Sequence, residues 1–160
     1  MANVSVDEIA AAAGVGKGTV YRRFGDRAGL AFALLDESER QLQEQLIRGA
    51  PPLGPGASPR ERLQAFVAAY LELLERHGDL IAHAEEAAPG ARYRAGVYAF
   101  WYRHVALLLA AANPDADAEV AAHAVLAPLA GSLYRELRAR GVSADRIELA
   151  ARVVAVAALG

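Results

Sequence analysis

Residues 4–26 read VSVDEIAAAAGVGKGTVYRRFGD, and the rest of the chain is organised around them. Ser5 and Glu8 have the spacing of a capping box, so a helix is expected from Val6. Ile9 and the alanines 10–13 continue it. Gly14-Val15-Gly16 then interrupts it. Gly14 can take the left-handed conformation that ends a helix, and Val15 is expected to plug the angle that follows. A second helix is expected over residues 17–24, stopped by Gly25 and Asp26.

Two short helices joined by a glycine-containing turn are the plan of a DNA-reading helix-turn-helix. Val20 and Phe24 are four apart and are expected to pack on Ile9 and Ala13 of the first helix. Lys17, Gly18, Tyr21 and Arg22 then share the opposite face, with Thr19 and Arg23 at its flanks. Cations and hydroxyls bond phosphate oxygens or base edges, and a glycine lets backbone approach DNA closely. The plain alternative is a helical hairpin whose charges are solvated. The turn, the packing pair and the basic face agree instead on DNA. Lys17 is also the only lysine of the chain, which points weakly the same way.

The run from residue 6 to 35, VDEIAAAAGVGKGTVYRRFGDRAGLAFALL, closely resembles the DNA-binding domain of TetR/AcrR-type transcriptional regulators. The matching pieces are the IA-x-x-AGV turn, the KGT-x-Y start of the recognition helix, Phe24, and the D-R-x-x-L that opens a long helix. The resemblance covers the first quarter of the chain by motif. It implies a homodimeric repressor with an all-helical ligand domain. It also implies that Lys17, Thr19 and Tyr21 bond the DNA backbone, with Lys17 able to reach a base edge, and that Gly18 lies against the groove. Arg22 and Arg23 would tune the operator, and Ser5 and Arg27 would clamp phosphates at helix N-termini. Gly16 departs from the pattern, where Ser or Thr is commoner, at little loss because glycine is a tolerated N-cap. Family members open with a further amphipathic helix ahead of this motif. This chain starts at the end of the following turn, so its helix-turn-helix is expected to be truncated at its start and under-packed.

Composition bounds the remaining possibilities. The chain has 160 residues, 54% of them apolar, ample for a core. Cysteine is absent, which removes disulfides and thiolate metal sites. The net charge of −2 argues against a general polyanion binder, so any nucleic-acid contact must be local. Apolar runs are interrupted by charge before membrane-spanning length, no secretory pattern opens the sequence, and the cytoplasm is the expected compartment.

A long helix is expected over 27–48, with Leu30, Leu34, Leu35, Leu42 and Leu46 near one stripe. Residues 49–59, GAPPLGPGASP, cannot continue it and mark an exposed boundary loop. Ser58, Pro59 and Glu61 restart a helix, which Gly78 is expected to end. A shorter helix over 79–88 follows. The next, over 91–112, carries most of the aromatics and is expected to be the central buried helix. Two more run over 116–140, kinked by Pro128, and 144–159. Val120, Ala124, Ala127, Gly131 and Tyr134 form a stripe on the former, and Ile147, Ala151, Val154 and Ala158 on the latter. Such small-residue stripes suit a four-helix homodimer interface through the last two helices; the alternative is that they close the monomer core.

No catalytic, phosphate-loop, dinucleotide or histidine metal motif is present, and neither an enzyme, a cofactor nor a bound metal is expected. His83 and Glu86 could make half a metal site but are more simply a surface pair. Tyr70, His83, Tyr98, Trp101, Tyr102 and His104 could line a ligand pocket with polar tips in apolar walls, or be plain core. The fold class expected is therefore all-α. A DNA-binding domain over 1–48, including the connecting helix, is joined to a helical ligand-binding and dimerisation bundle over 58–160. The function expected is a ligand-responsive repressor that binds a palindromic double-stranded DNA operator as a homodimer, with a small, largely apolar effector and no membrane partner. The alternative is a ligand-binding and dimerisation module that has lost autonomous DNA binding with its first helix.

Overall fold

The computed structural model describes residues 5–160, and of residues 27 and 28 the backbone alone. The turn end expected at residues 1–4 lies outside the described residues. Among the described residues there are helices and turns but no strand. By its internal contacts the chain divides into two units, Met1–Ser38 and Glu39–Gly160.

In the first unit, α1 (Val6–Ala12) begins at the expected capping box. The Ser5 hydroxyl accepts from the Glu8 N–H at 3.2 Å, and the Ser5 N–H donates to Glu8 Oε2 at 2.8 Å. Its other end is a Schellman motif. The Val15 N–H reaches the Ala10 carbonyl and the Gly14 N–H that of Ala11, with Gly14 at φ +66°. Then α2 (Lys17–Phe24) stops at Gly25, φ +78°, and α3 (Arg27–Arg48) follows. Asp26 Oδ1 caps the start of α3 by accepting from the Gly29 N–H at 2.8 Å. A Cβ on Gly29 would sit 1.9 Å from the Phe24 carbonyl oxygen, so this turn closes only over a glycine. The small core is Val6, Ala10 and Val20, with Phe24 and Leu30 packed on it. The inward face of α1 is thus one residue off the expected one. Ile9 is half-buried, Ala13 is exposed, and Val15 is 43% exposed rather than a plug.

The division between the units falls within α3. On that helix Leu35, Leu42 and Leu46 are buried, whereas Leu34 faces outward at 56% exposure. The Arg62 guanidinium donates to the Leu46 carbonyl at 2.9 Å, satisfying one of the orphan carbonyls of the helix end.

The centre of the second unit is α4 (Pro59–Glu86), opened by a second capping box, Ser58 with Glu61. It does not end at Gly78. A Cβ there would be 3.4 Å from the Tyr134 ring, so Gly78 marks a close helix approach inside a continuous helix. The helices α5 (Ala91–Arg94), α6 (Gly96–Ala112), α8 (Gly131–Ala139) and α9 (Ala144–Ala157) pack on α4, and so does the 3-10 turn Ala127–Leu129. The aromatic stretch is therefore a flank of the unit, not its centre, and extended backbone at Ala95 splits it in two. Likewise Pro128 breaks the helix expected over 116–140 instead of kinking it. α7 (Ala118–Leu126) gives way to a 3-10 turn at Ala127–Leu129 and extended Ala130 before α8 starts.

A buried ion pair holds this break. Glu85, near the end of α4, pairs with Arg92 of α5, and each side chain is 11% exposed. Glu85 Oε2 accepts from the N–H groups of Gly131 and Ser132 at 2.9 and 3.4 Å. Arg92 donates to the Leu126 carbonyl at 2.8 Å. The anion sits on the N-terminus of α8 and the cation on the C-terminus of α7, the favourable sense for both helix dipoles.

The two small-residue stripes divide: Gly131, Tyr134, Ile147 and Ala151 are buried within the chain, whereas Val120, Ala124, Ala127 and Val154 are exposed. A Cβ on Gly131 would lie 2.7 Å from the Ala82 nitrogen, so this glycine serves the contact between α8 and α4. The large apolar side chains that α8 and α9 expose are Leu133, Leu149, Val153 and Val154, at 41, 66, 61 and 38%.

Candidate nucleic-acid interface

Burying Val20 on α1 fixes the roll of α2 and turns the rest of that helix outward. Lys17, Gly18, Thr19, Tyr21, Arg22 and Arg23 are all exposed, and Ser5 is exposed at the start of α1. The side chain of Arg27 lies outside the described residues. Lys17 Nζ stands 2.7 Å from Asp7 Oδ2 and 5.7 Å from the centroid of the Tyr21 ring. The hydrogen bond that Lys17 donates to Asp7, and then the Asp7 charge, raise the Lys17 ammonium above its ordinary pKa. Arg23 lies over the Phe24 ring at 5.6 Å, and Arg22 has no ion-pair partner among the described residues. Gly18 has no atom within 4 Å of the place where a Cβ would be. Packing does not demand a glycine there; bare backbone on an outward face suits approach by another molecule.

Not every member of the set is free to bond. The Ser5 hydroxyl is engaged in the capping box, donating to Glu8 Oε2 at 2.8 Å while it accepts from the Glu8 N–H. Those bonds also draw the Glu8 carboxyl below its ordinary pKa, the backbone bond from Ser5 foremost. Asp7 was missed as the counter-charge to Lys17. The spacing of 10 residues spans the turn and belongs to no helical pattern, so only the folded turn brings the two together.

In the second unit the six residues read as pocket wall separate into two groups. Tyr70, Trp101 and His104 meet around Phe66, whose ring lies 5.7, 6.0 and 5.4 Å from theirs. Tyr70 and Trp101 touch edge to face at 5.7 Å. Burial raises the Tyr70 phenol well above its ordinary pKa. Burial, with the nearby Arg62 charge, lowers His104 to about 4, so it is neutral at pH 7. Tyr98 and Tyr102 gather on His123 of α7. The Tyr98 hydroxyl is 2.7 Å from His123 Nδ1, and the Tyr102 ring stacks on the imidazole at 4.6 Å. His83 is exposed on α4 and belongs to neither group. Phe66, Arg62 and His123 were not placed with these groups from sequence; the first two could have been, since residues 62, 66 and 70 repeat at one helical face. Among the described residues no three His, Cys, Asp or Glu side chains could hold a metal ion, and no helix is long and apolar enough to cross a membrane.

Residues 1–34 match the family model of the bacterial regulatory proteins of the tetR family. No curated protein matches the chain. A solved structure from Rhodococcus sp., described as a TetR-family transcriptional regulator, shares its fold with a TM-score of 0.65 and 21% identity, over 100% of this chain and 90% of that one. The exposed face of α2 lies within the residues that match that family model, and the whole chain shares the all-helical fold of the Rhodococcus structure.

Proposed function

We propose that the chain is a one-component repressor of the cytoplasm that binds a palindromic operator as a homodimer and is released by a small effector held in the second unit. The observation that carries this reading is α2 itself. One buried residue, Val20, fixes the helix, and six outward residues, Lys17, Gly18, Thr19, Tyr21, Arg22 and Arg23, present the chemistry that bonds phosphates and base edges. Ser5 and Arg27 flank this face in sequence. Ser5 would meet phosphate with its hydroxyl only by sharing the bonds it makes to Glu8.

Dimerisation is supported by the apolar row that α8 and α9 leave exposed, Leu133 with Leu149, Val153 and Val154, since 149 and 153 are successive positions on one face. Two copies joined there would place two recognition helices for successive major grooves, about 34 Å apart. An effector then acts only by binding more tightly to a dimer whose two readers do not fit that spacing. Tyr70, Trp101 and His104 around Phe66 are the polar-tipped aromatic group best suited to hold it. Tyr98, Tyr102 and His83 are less so, because the first two are engaged with His123 and the third faces solvent.

The test is fluorescence anisotropy on labelled DNA from the region upstream of the coding sequence, with random DNA as competitor, at two salt concentrations. Binding that resists competitor and weakens with salt is expected. Tyr21→Ala should weaken it about tenfold with the dimer, followed by light scattering, unchanged. Binding no tighter than to random DNA would refute the operator reading and leave a ligand-binding and dimerisation module.

A further inference from the structure

Among the described residues of the second unit four buried polar side-chain atoms have no hydrogen-bond partner; Arg152 Nε lies on α9, and the other three occupy two facing helices, Arg62 Nε on α4 and Trp101 Nε1 and His104 Nε2 on α6. Arg62 and Phe66 are one turn apart on α4. Trp101 and His104 are one turn apart on α6, and both rings lie against Phe66. The Arg62 charge is close enough to His104 to disfavour its protonation. Trp101 is 1% exposed.

Arg62 spends one terminal nitrogen on the Leu46 carbonyl, and no carboxylate among the described residues pairs with it. A half-buried guanidinium without a counter-ion, beside an indole N–H without an acceptor, is an unfavourable arrangement for a chain that needs only a core. Leu or Phe at these places would pack as well and leave nothing unsatisfied. Both unmet groups are donors, and one is a permanent cation. Neutral His104 adds a third donor in its Nε2–H tautomer.

We propose that Arg62, Trp101 and His104 form the polar end of the effector site, and that its occupant is a small carboxylate with an apolar body. This rests on the effector-released reading above and gives the effector a chemical class. The carboxylate oxygens accept from Arg62 Nε and Trp101 Nε1, with His104 Nε2 donating beside them, and the cation supplies the counter-charge that no side chain supplies. The apolar body lies along Phe66 and Tyr70, whose rings are 5.7 Å apart. The site is thus selective for acids over their neutral isosteres, because only an anion compensates Arg62.

Calorimetric titration of the full chain with octanoate, phenylacetate and 1-naphthoate, each against its primary amide, tests the assignment. Trp101 is the sole tryptophan, so its fluorescence reports occupancy independently. At least one carboxylate is expected to bind at least about tenfold more tightly than its amide, the size of a charge-assisted bond. Arg62→Gln should abolish that preference while leaving amide binding in place. Trp101→Phe, which keeps an aromatic ring and loses the N–H, should weaken the carboxylate several-fold, and it serves if Arg62→Gln fails to fold. Equal binding of acid and amide, an undiminished preference in folded Arg62→Gln or in folded Trp101→Phe, or no binding by any of the three acids would overturn the proposal. Operator binding is measured separately by anisotropy. DNA binding without acid binding refutes the ligand class alone, and acid binding without DNA binding refutes the repressor reading alone.

Discussion

His104 gives the second unit a pH dependence whose sign and size follow from its surroundings. Burial on α6, and then the charge of Arg62, hold its folded pKa at about 4 against an ordinary value of 6.5. A histidine with a depressed folded pKa opposes folding in acid. Below pH 6.5 the unfolded chain takes up a proton that the folded chain refuses, so stability falls as pH drops from 6.5 toward 4 and levels off below. With a unit of pKa corresponding to about 1.4 kcal/mol, the full loss is on the order of 3 kcal/mol. Roughly 2 kcal/mol of it falls between pH 7 and pH 5. Urea titration followed by Trp101 fluorescence reads this as a fall in midpoint of about 1 M between those pH values, for a slope near 2 kcal/mol/M. The chain has three other histidines, so the measurement is the difference between wild type and His104→Gln. The variant should lose roughly 2 kcal/mol of the pH 7 to pH 5 change. An unchanged pH dependence in folded His104→Gln would show that the imidazole protonates freely in place and that its surroundings do not reject charge.

Further outcomes are expected elsewhere. Gly131→Ala places a Cβ 2.7 Å from the Ala82 nitrogen and 2.8 Å from Ile81 Cγ2, and should destabilise by about 2 kcal/mol or more in the same urea assay. Gly78→Ala, whose Cβ meets the Tyr134 ring at 3.4 Å, should be neutral or stabilise by up to about 1 kcal/mol, because a helix interior prefers alanine. Glu85→Gln leaves Arg92 buried and unpaired and should lower stability by about 3 kcal/mol, with Glu85→Gln/Arg92→Met recovering part of that. Asp7→Asn frees Lys17 and removes an anion beside the face proposed to meet DNA, so operator affinity by anisotropy should rise severalfold, and more at low salt than at high.

The first unit was legible because its signals are local. A capping box, a glycine that ends a helix and a four-residue apolar pair each operate within one turn of chain, and each stands where the sequence placed it. What failed there was the inward face of α1, Val6 and Ala10 rather than Ile9 and Ala13. Several small apolar residues in a row leave the helix roll undetermined until a partner selects it. In the second unit two of the errors share one cause. Gly78 and Gly131 were read as a stop and as part of a free stripe, but both are glycine because another helix passes close by. Sequence reports that a position is small; it does not report which neighbour requires it. The Glu85–Arg92 pair was invisible for the same reason. Its partners at Leu126, Gly131 and Ser132 are more than 30 residues away in the chain.

The two units use polar groups in opposite ways. On α2 every polar side chain is outside, the inward contacts are Val20 and Phe24, and changing the outer residues should leave the fold standing. A reader built this way can alter its operator without altering its stability. The second unit also draws some polar side chains part-way inside, and two clusters of them differ in completeness. Around Glu85 and Arg92 each charge has its counter-charge and backbone partners. Around Arg62, Trp101 and His104 three polar atoms have none. Buried donors left unmet weaken a fold, whereas met ones specify it. The first cluster is therefore what a structural joint needs. The second is what the proposed effector site needs, which is why the search for an effector starts with anions at Arg62.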